Sequence, residues 1–199
     1  VVLYNLDTRM QEKLIIACKS LISALAFSKD GNYLAVGESG EKSSVIVWNI
    51  SNGTRVCKLV GHQFGVKSLC FSPEGNYLLS SDIDQQTTTN NTKQQGRLIL
   101  WDWKAGRMKF TNTPVNGGPK CVAFAPDGSF FGAAGNRWIS TWTLEDVLSS
   151  SGDVCDVQGE SAELGQHVDK DFVALEISDN TPTAMYALTS EGVLCMMNR

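Results

Sequence analysis

A serine, a histidine and an aspartate are the ingredients of nucleophilic catalysis, in which imidazole takes the hydroxyl proton and a carboxylate holds the imidazole. His62, Ser80 and Asp84 supply all three, and Trp101 follows them. Yet Ser80 stands in LLSSD, with no G-x-S-x-G elbow to present its hydroxyl on a sharp turn. Buried polar side chains that satisfy one another account for the same set without catalysis. The expectation is therefore a structural role, with no catalytic residue; a hydrolase is the rival reading from another class. His167 is the other histidine, and the six cysteines form no C-x-x-C pair, so no metal site of plausible spacing is expected. The glycines are dispersed and form no phosphate-cradling loop that opens a helix, so no cofactor is expected either.

The elements that must position these residues come from a repeat. ISALAFSKDGNYLAVGES (22–39), VKSLCFSPEGNYLLSSD (66–82) and KCVAFAPDGSFFGAAGN (120–136) share one plan. An apolar run ends in Phe27, Phe71 or Phe124; a polar turn carries Asp30-Gly31, Glu74-Gly75 or Asp127-Gly128; a second apolar run follows. That pattern predicts a β-hairpin, with glycine taking the positive φ. A third strand then ends near an aromatic, in VIVWN, LILWD and ISTWT, with weaker copies in VVLYN and VLCMMN. Tyr4, Trp48, Trp101, Trp142 and Met197 succeed one another at 44, 53, 41 and 55 residues. This is the period of propeller blades, each a sheet of four short strands.

The fold class is all-β, a β-propeller fragment of three full blades plus two partial blades. The expected units are 1–17 (partial), 22–60, 64–112, 119–160 and 171–199 (partial), with fourth strands at Arg55 to Val60 and Arg107 to Thr111. Such a set exposes unpaired strands and apolar faces, so alone it should be marginal, with the remaining blades of a longer chain completing the ring. Closure into a small ring of its own is the alternative. Gln85 to Gly96 is an all-polar insertion, expected to be a disordered loop. Glu145 to Asp169 is a long connection with one strand near Val154 to Val157, and no helical period is evident. On the first strand of each unit, small residues (Ala24, Ser68, Cys121, Ala174) alternate with larger ones (Leu25, Leu69, Val122, Leu175), which predicts close packing near the axis; Glu176 breaks that pattern. Trp138 takes the slot of Ser44 and Arg97; packing on a neighbouring loop is the expectation there, with an exposed partner contact beside Arg137 as the alternative.

At 199 residues, 42% hydrophobic, the chain can bury a sizeable core. A net charge of -4 without a basic run argues against nucleic acid. Its apolar runs are far shorter than the roughly 20 residues that cross a bilayer, so no membrane partner is expected. The chain opens at Val1, which reads as a cut site. Cys18, Cys57, Cys70, Cys121, Cys155 and Cys195 mostly sit in apolar runs, which favours buried free thiols and a reducing compartment.

Gly61-His62 before a first strand, Ser80 on a second, Asp84 in the next turn and Trp101 on a third resemble the hydrogen-bonded tetrad of WD repeats; the other units lack it. More specifically, VVLYN, ALAFSKDGNYLAVGESG, GVKSLCFS and AGNRWISTW followed by LED resemble the N-terminal propeller of the mitogen-activated-protein-kinase-binding protein family, including its centrosomal microcephaly-associated WD-repeat relative. The resemblance implies a non-catalytic protein-protein interaction scaffold, linked to stress-activated Jun N-terminal kinase signalling and, in one branch, to spindle poles. Kinase-cascade or centrosomal and spindle components are the partners it implies, with a location in the cytoplasm or at the spindle pole. The family's kinase-docking elements lie outside this segment, and the 85–96 insertion and Trp138 depart from the family pattern. A microtubule-associated WD-repeat protein of the echinoderm type is the alternative.

Overall fold

In the computed structural model, which describes residues 1–15, 20–83, 95–114, 116–149, 154, 157–181 and 183–199, the repeat folds three times into the same tight hairpin. Gly31, Gly75 and Gly128 have φ of 72°, 72° and 75°, the left-handed region that a Cβ disfavours. The closing bonds repeat too. Ser28 N–H donates to the Tyr33 carbonyl, Ser72 to Tyr77 and Ala125 to Phe130, each at 2.9 Å.

Strands β1 (Val2–Asn5) and β2 (Met10–Leu14) make a two-stranded sheet. The first full blade is β3 (Ile22–Phe27), β4 (Tyr33–Glu38), β5 (Ser44–Asn49) and β6 (Arg55–Val60). The second is β7 (Val66–Phe71), β8 (Tyr77–Asp82), β9 (Leu98–Asp102) and β10 (Arg107–Asn112). The third is β11 (Cys121–Phe124), β12 (Phe130–Gly135), β13 (Trp138–Thr143) and β14 (Glu160–Ser161). A three-stranded sheet of β15 (Phe172–Ile177), β16 (Ala184–Thr189) and β17 (Leu194–Asn198) ends the series. Each sheet is an antiparallel meander in chain order, and β3, β7, β11 and β15 pack in succession as the innermost strands. This is a propeller fragment of three full and two partial blades.

The third blade departs from expectation. Its fourth strand is Glu160–Ser161, only two residues long, while the strand expected near Val154 to Val157 falls in part on residues 155 and 156, which lie outside the described residues. The reason lies with Trp142: its Nε1–H donates to the Val157 carbonyl at 3.0 Å, and a Cβ on Gly159 would meet the ring at 2.6 Å. The chain must therefore pass the indole before it can pair. Ahead of it, the acidic LED opens a six-residue helix, α1 (Leu144–Ser149), where no helix was expected; Val147 buries its side chain. A 3₁₀ turn at Gly165–His167 follows β14. Of the polar insertion, residues 85–94 lie outside the described residues, while Gly96 is buried, 2.8 Å from the Asp82 carbonyl at its would-be Cβ.

Packing between blades pairs the large face of one innermost strand with the small face of the one before. Leu69 and Phe71 lie against Ala24 and Ala26, Val122 and Phe124 against Cys70, and Leu175 and Ile177 against Cys121 and Ala123. A small residue is required on the adjoining strand too: a Cβ on Gly37 of β4 would sit 2.7 Å from Val66 Cβ. At the two ends of the series the rule leaves faces uncovered, so that Leu25 and Phe27 are exposed on β3 and Glu176 on β15. Four aromatics, Phe110, Phe124, Phe131 and Trp142, knit the second blade to the third. Among the described cysteines, Cys57, Cys70, Cys121 and Cys195 are free thiols, and Cys18 and Cys155 lie outside the described residues.

Candidate functional site

The second blade brings together His62, Ser80 and Trp101. His62 precedes β7, Ser80 lies on β8 and Trp101 on β9, and all three are buried. Trp101 Nε1–H donates to Ser80 Oγ at 2.8 Å, and Ser80 Oγ lies 2.8 Å from His62 Nε2. The serine hydroxyl therefore donates to Nε2, which leaves the ring proton on Nδ1. That Nδ1–H meets a carboxylate, but the carboxylate is Asp82, the last residue of β8. Asp84, expected in this place, lies outside the described residues.

Two further residues complete the unit. Arg97 Nε reaches the other Asp82 oxygen at 3.4 Å, and its Nη2 donates to the Gly61 carbonyl. Gly61 is required by proximity, since a Cβ there would lie 2.8 Å from Trp101 Cη2. Burial, and after it the positive charge of Arg97, lowers the His62 pKa to about 3. The imidazole is neutral at physiological pH.

The order serine, Nε2, Nδ1, carboxylate is that of a nucleophilic triad. Its surroundings are not. Ser80 is 0% exposed and its oxygen already accepts the Trp101 N–H, so no substrate atom reaches Oγ. Each of these linked groups has a partner, which ties β8, β9 and the loop that enters β7 together.

The other blades show what happens without it. In register, Ser80 corresponds to Val36 in the first blade and Ala133 in the third. Trp48 Nε1 is accordingly buried without a partner, and Trp142 turns to the Val157 carbonyl. Asp82 has its own counterparts at the strand end. Glu38 there accepts a bond from the Ser44 hydroxyl, and Gly135 faces Trp138. Sequence reading missed Asp82 and Glu38; their shared place at the end of the second strand was the available signal.

Of the two readings for Trp138, packing holds and the exposed contact does not: it is 8% exposed, because Gly135 opposite has no side chain and the indole fills that space. Its Nε1–H donates to the Gly117 carbonyl at 3.2 Å. Arg137 stays exposed, with φ of 68° and Asp169 at 3.9 Å.

A repeating four-stranded blade with a His-Ser-Asp-Trp unit agrees with the comparison to protein families: residues 12–49 and 53–87 match the WD domain, G-beta repeat. The chain belongs to the WD-repeat family. Along its length this WD-repeat chain is similar to mitogen-activated protein kinase-binding protein 1 of Mus musculus, 32% identical over 98% of the chain, and of Homo sapiens, also 32% over 98%. It is 28% identical over its whole length to WD repeat-containing protein 62 of Sus scrofa. The chain spans 12% of the length of each of these curated relatives. The resemblance carried by AVGESG and AGNRWISTW thus extends over nearly every blade, and a WD-repeat protein-interaction module is the class it indicates.

Proposed function

We propose that this chain is a non-catalytic platform that holds other proteins, in stress-activated Jun N-terminal kinase signalling or at the spindle pole, and that it works in the cytoplasm. The observation that supports this reading is likeness over 98% of the chain to proteins named for binding a mitogen-activated protein kinase. The geometry agrees with a platform. The unit with the makings of a triad is closed to substrate, whereas the loops at the His62 end of the blades display charged side chains, including Arg137 beside Asp169 and Lys170 beside Glu191. Arg137 is the residue proposed to touch a partner; Trp138 supports it from beneath.

The test is capture from cytoplasmic extract on the immobilised chain, with the captured proteins identified by mass spectrometry. Retention of kinase-cascade or spindle-pole components, weakened in Arg137→Ala, supports the reading. A folded chain that retains neither set contradicts it.

A further inference from the structure

Of the five prolines, three follow a hydroxyl residue, as Ser72-Pro73, Thr113-Pro114 and Thr181-Pro182. Proline after the acceptor is the chemistry that proline-directed protein kinases read, because such enzymes favour an extended acceptor whose next residue brings no backbone N–H. The fold separates the three. Ser72 is 0% exposed and its Oγ accepts the Tyr77 N–H at 2.9 Å, so it is spent on the hairpin. Pro182 lies outside the described residues. Thr113 is exposed, in irregular backbone just after β10, with Pro114 half-buried behind it.

We propose that Thr113 is a phosphoacceptor for a proline-directed serine/threonine kinase. In that step Thr113 Oγ attacks the γ-phosphorus of kinase-bound ATP. The Oγ–P bond forms as the bond to the β–γ bridging oxygen breaks, ADP leaves, and the hydroxyl proton passes to the kinase's aspartate base. The surroundings suit the product. Thr113 and Pro114 sit at a cavity between the second and third blades whose other polar walls include Asn116, Gln158, Ser140 and Ser161, with no carboxylate among the described residues that line it. Carboxamide and hydroxyl donors there meet the three acceptor oxygens that a phosphate adds.

The experiment uses the whole chain with magnesium and ATP. A mitogen-activated kinase and a cyclin-dependent kinase are each tried, and the sites are mapped by tandem mass spectrometry. The expected result is phosphate on Thr113, kept in Thr113→Ser and lost in Thr113→Ala and Pro114→Ala, with Ser72 modified only after unfolding in urea. Circular dichroism of each variant separates loss of the site from loss of fold. The proposal is overturned if neither kinase modifies Thr113 in the folded chain, or if modification there survives in folded Pro114→Ala.

Discussion

Gly135 and Trp138 face each other across β12 and β13 at the position where the second blade sets Asp82 against Arg97. One blade spends that position on a charged pair that holds a histidine, the other on an indole that fills the same strand end. Trp138 is consequently a core residue. Trp138→Ala should cost about 3–5 kcal/mol, comparable to Trp142→Ala, read as a lower urea midpoint.

Arg137, its neighbour, should behave oppositely. Its φ of 68° suits glycine, and its contact with Asp169 is a solvent-exposed pair at 3.9 Å. Arg137→Gly should leave stability unchanged within about 0.5 kcal/mol or raise it slightly. Loss of a partner in this variant, with the urea midpoint held, isolates a surface contact from the fold.

The buried imidazole makes a pH dependence. His62 in the folded chain titrates at about 3, below the roughly 6.5 of an unfolded histidine. The unfolded chain therefore binds a proton that the folded one refuses. The stability is fully present above about pH 6.5 and drains as pH falls toward 3, by up to about 1.4 kcal/mol per pH unit. Thermal midpoints at pH 7.5, 6 and 5 should show the decline, and His62→Gln should flatten this component while lowering the midpoint at neutral pH.

Gly61 offers a steric test. The Trp101 ring is held by its bond to Ser80 and cannot withdraw from a methyl group at position 61, which would stand 2.8 Å from it. Gly61→Ala should cost about 1–3 kcal/mol in urea unfolding. Gly106→Ala, with open space around it but φ of 67°, separates backbone strain from collision.

Much of this architecture is legible in the sequence because it is local. Phe27, Phe71 and Phe124 mark strand ends, and Gly31, Gly75 and Gly128 mark turns that only a few backbone conformations close. Trp48, Trp101 and Trp142 repeat because each pairs with the same position on the second strand. What escapes the sequence depends on partners that are far apart in it. The carboxylate at His62 is decided by where β8 ends and by Arg97 across the insertion, which spacing alone does not fix. The slot shared with Ser44 and Arg97 leaves Trp138 two readings, and Gly135 and the Gly117 carbonyl, which receive the indole, decide between them. Helix α1 has six residues, too few for a helical period to emerge, and the two residues of β14 carry no strand pattern.

The buried hydroxyl of Ser80 serves structure. Its neighbour Ser81 is the natural control, since it is equally buried but its hydroxyl has no partner. The decisive measurement is urea unfolding of Ser80→Ala beside Ser81→Ala. Removing the Ser80 oxygen strands the Trp101 N–H and unlinks His62, for a loss of about 1–3 kcal/mol, whereas Ser81→Ala should be neutral or stabilising. Equal midpoints for the two variants, or a Ser80→Ala chain as stable as the wild type, would mean that the Ser80 hydroxyl does not hold the blade together.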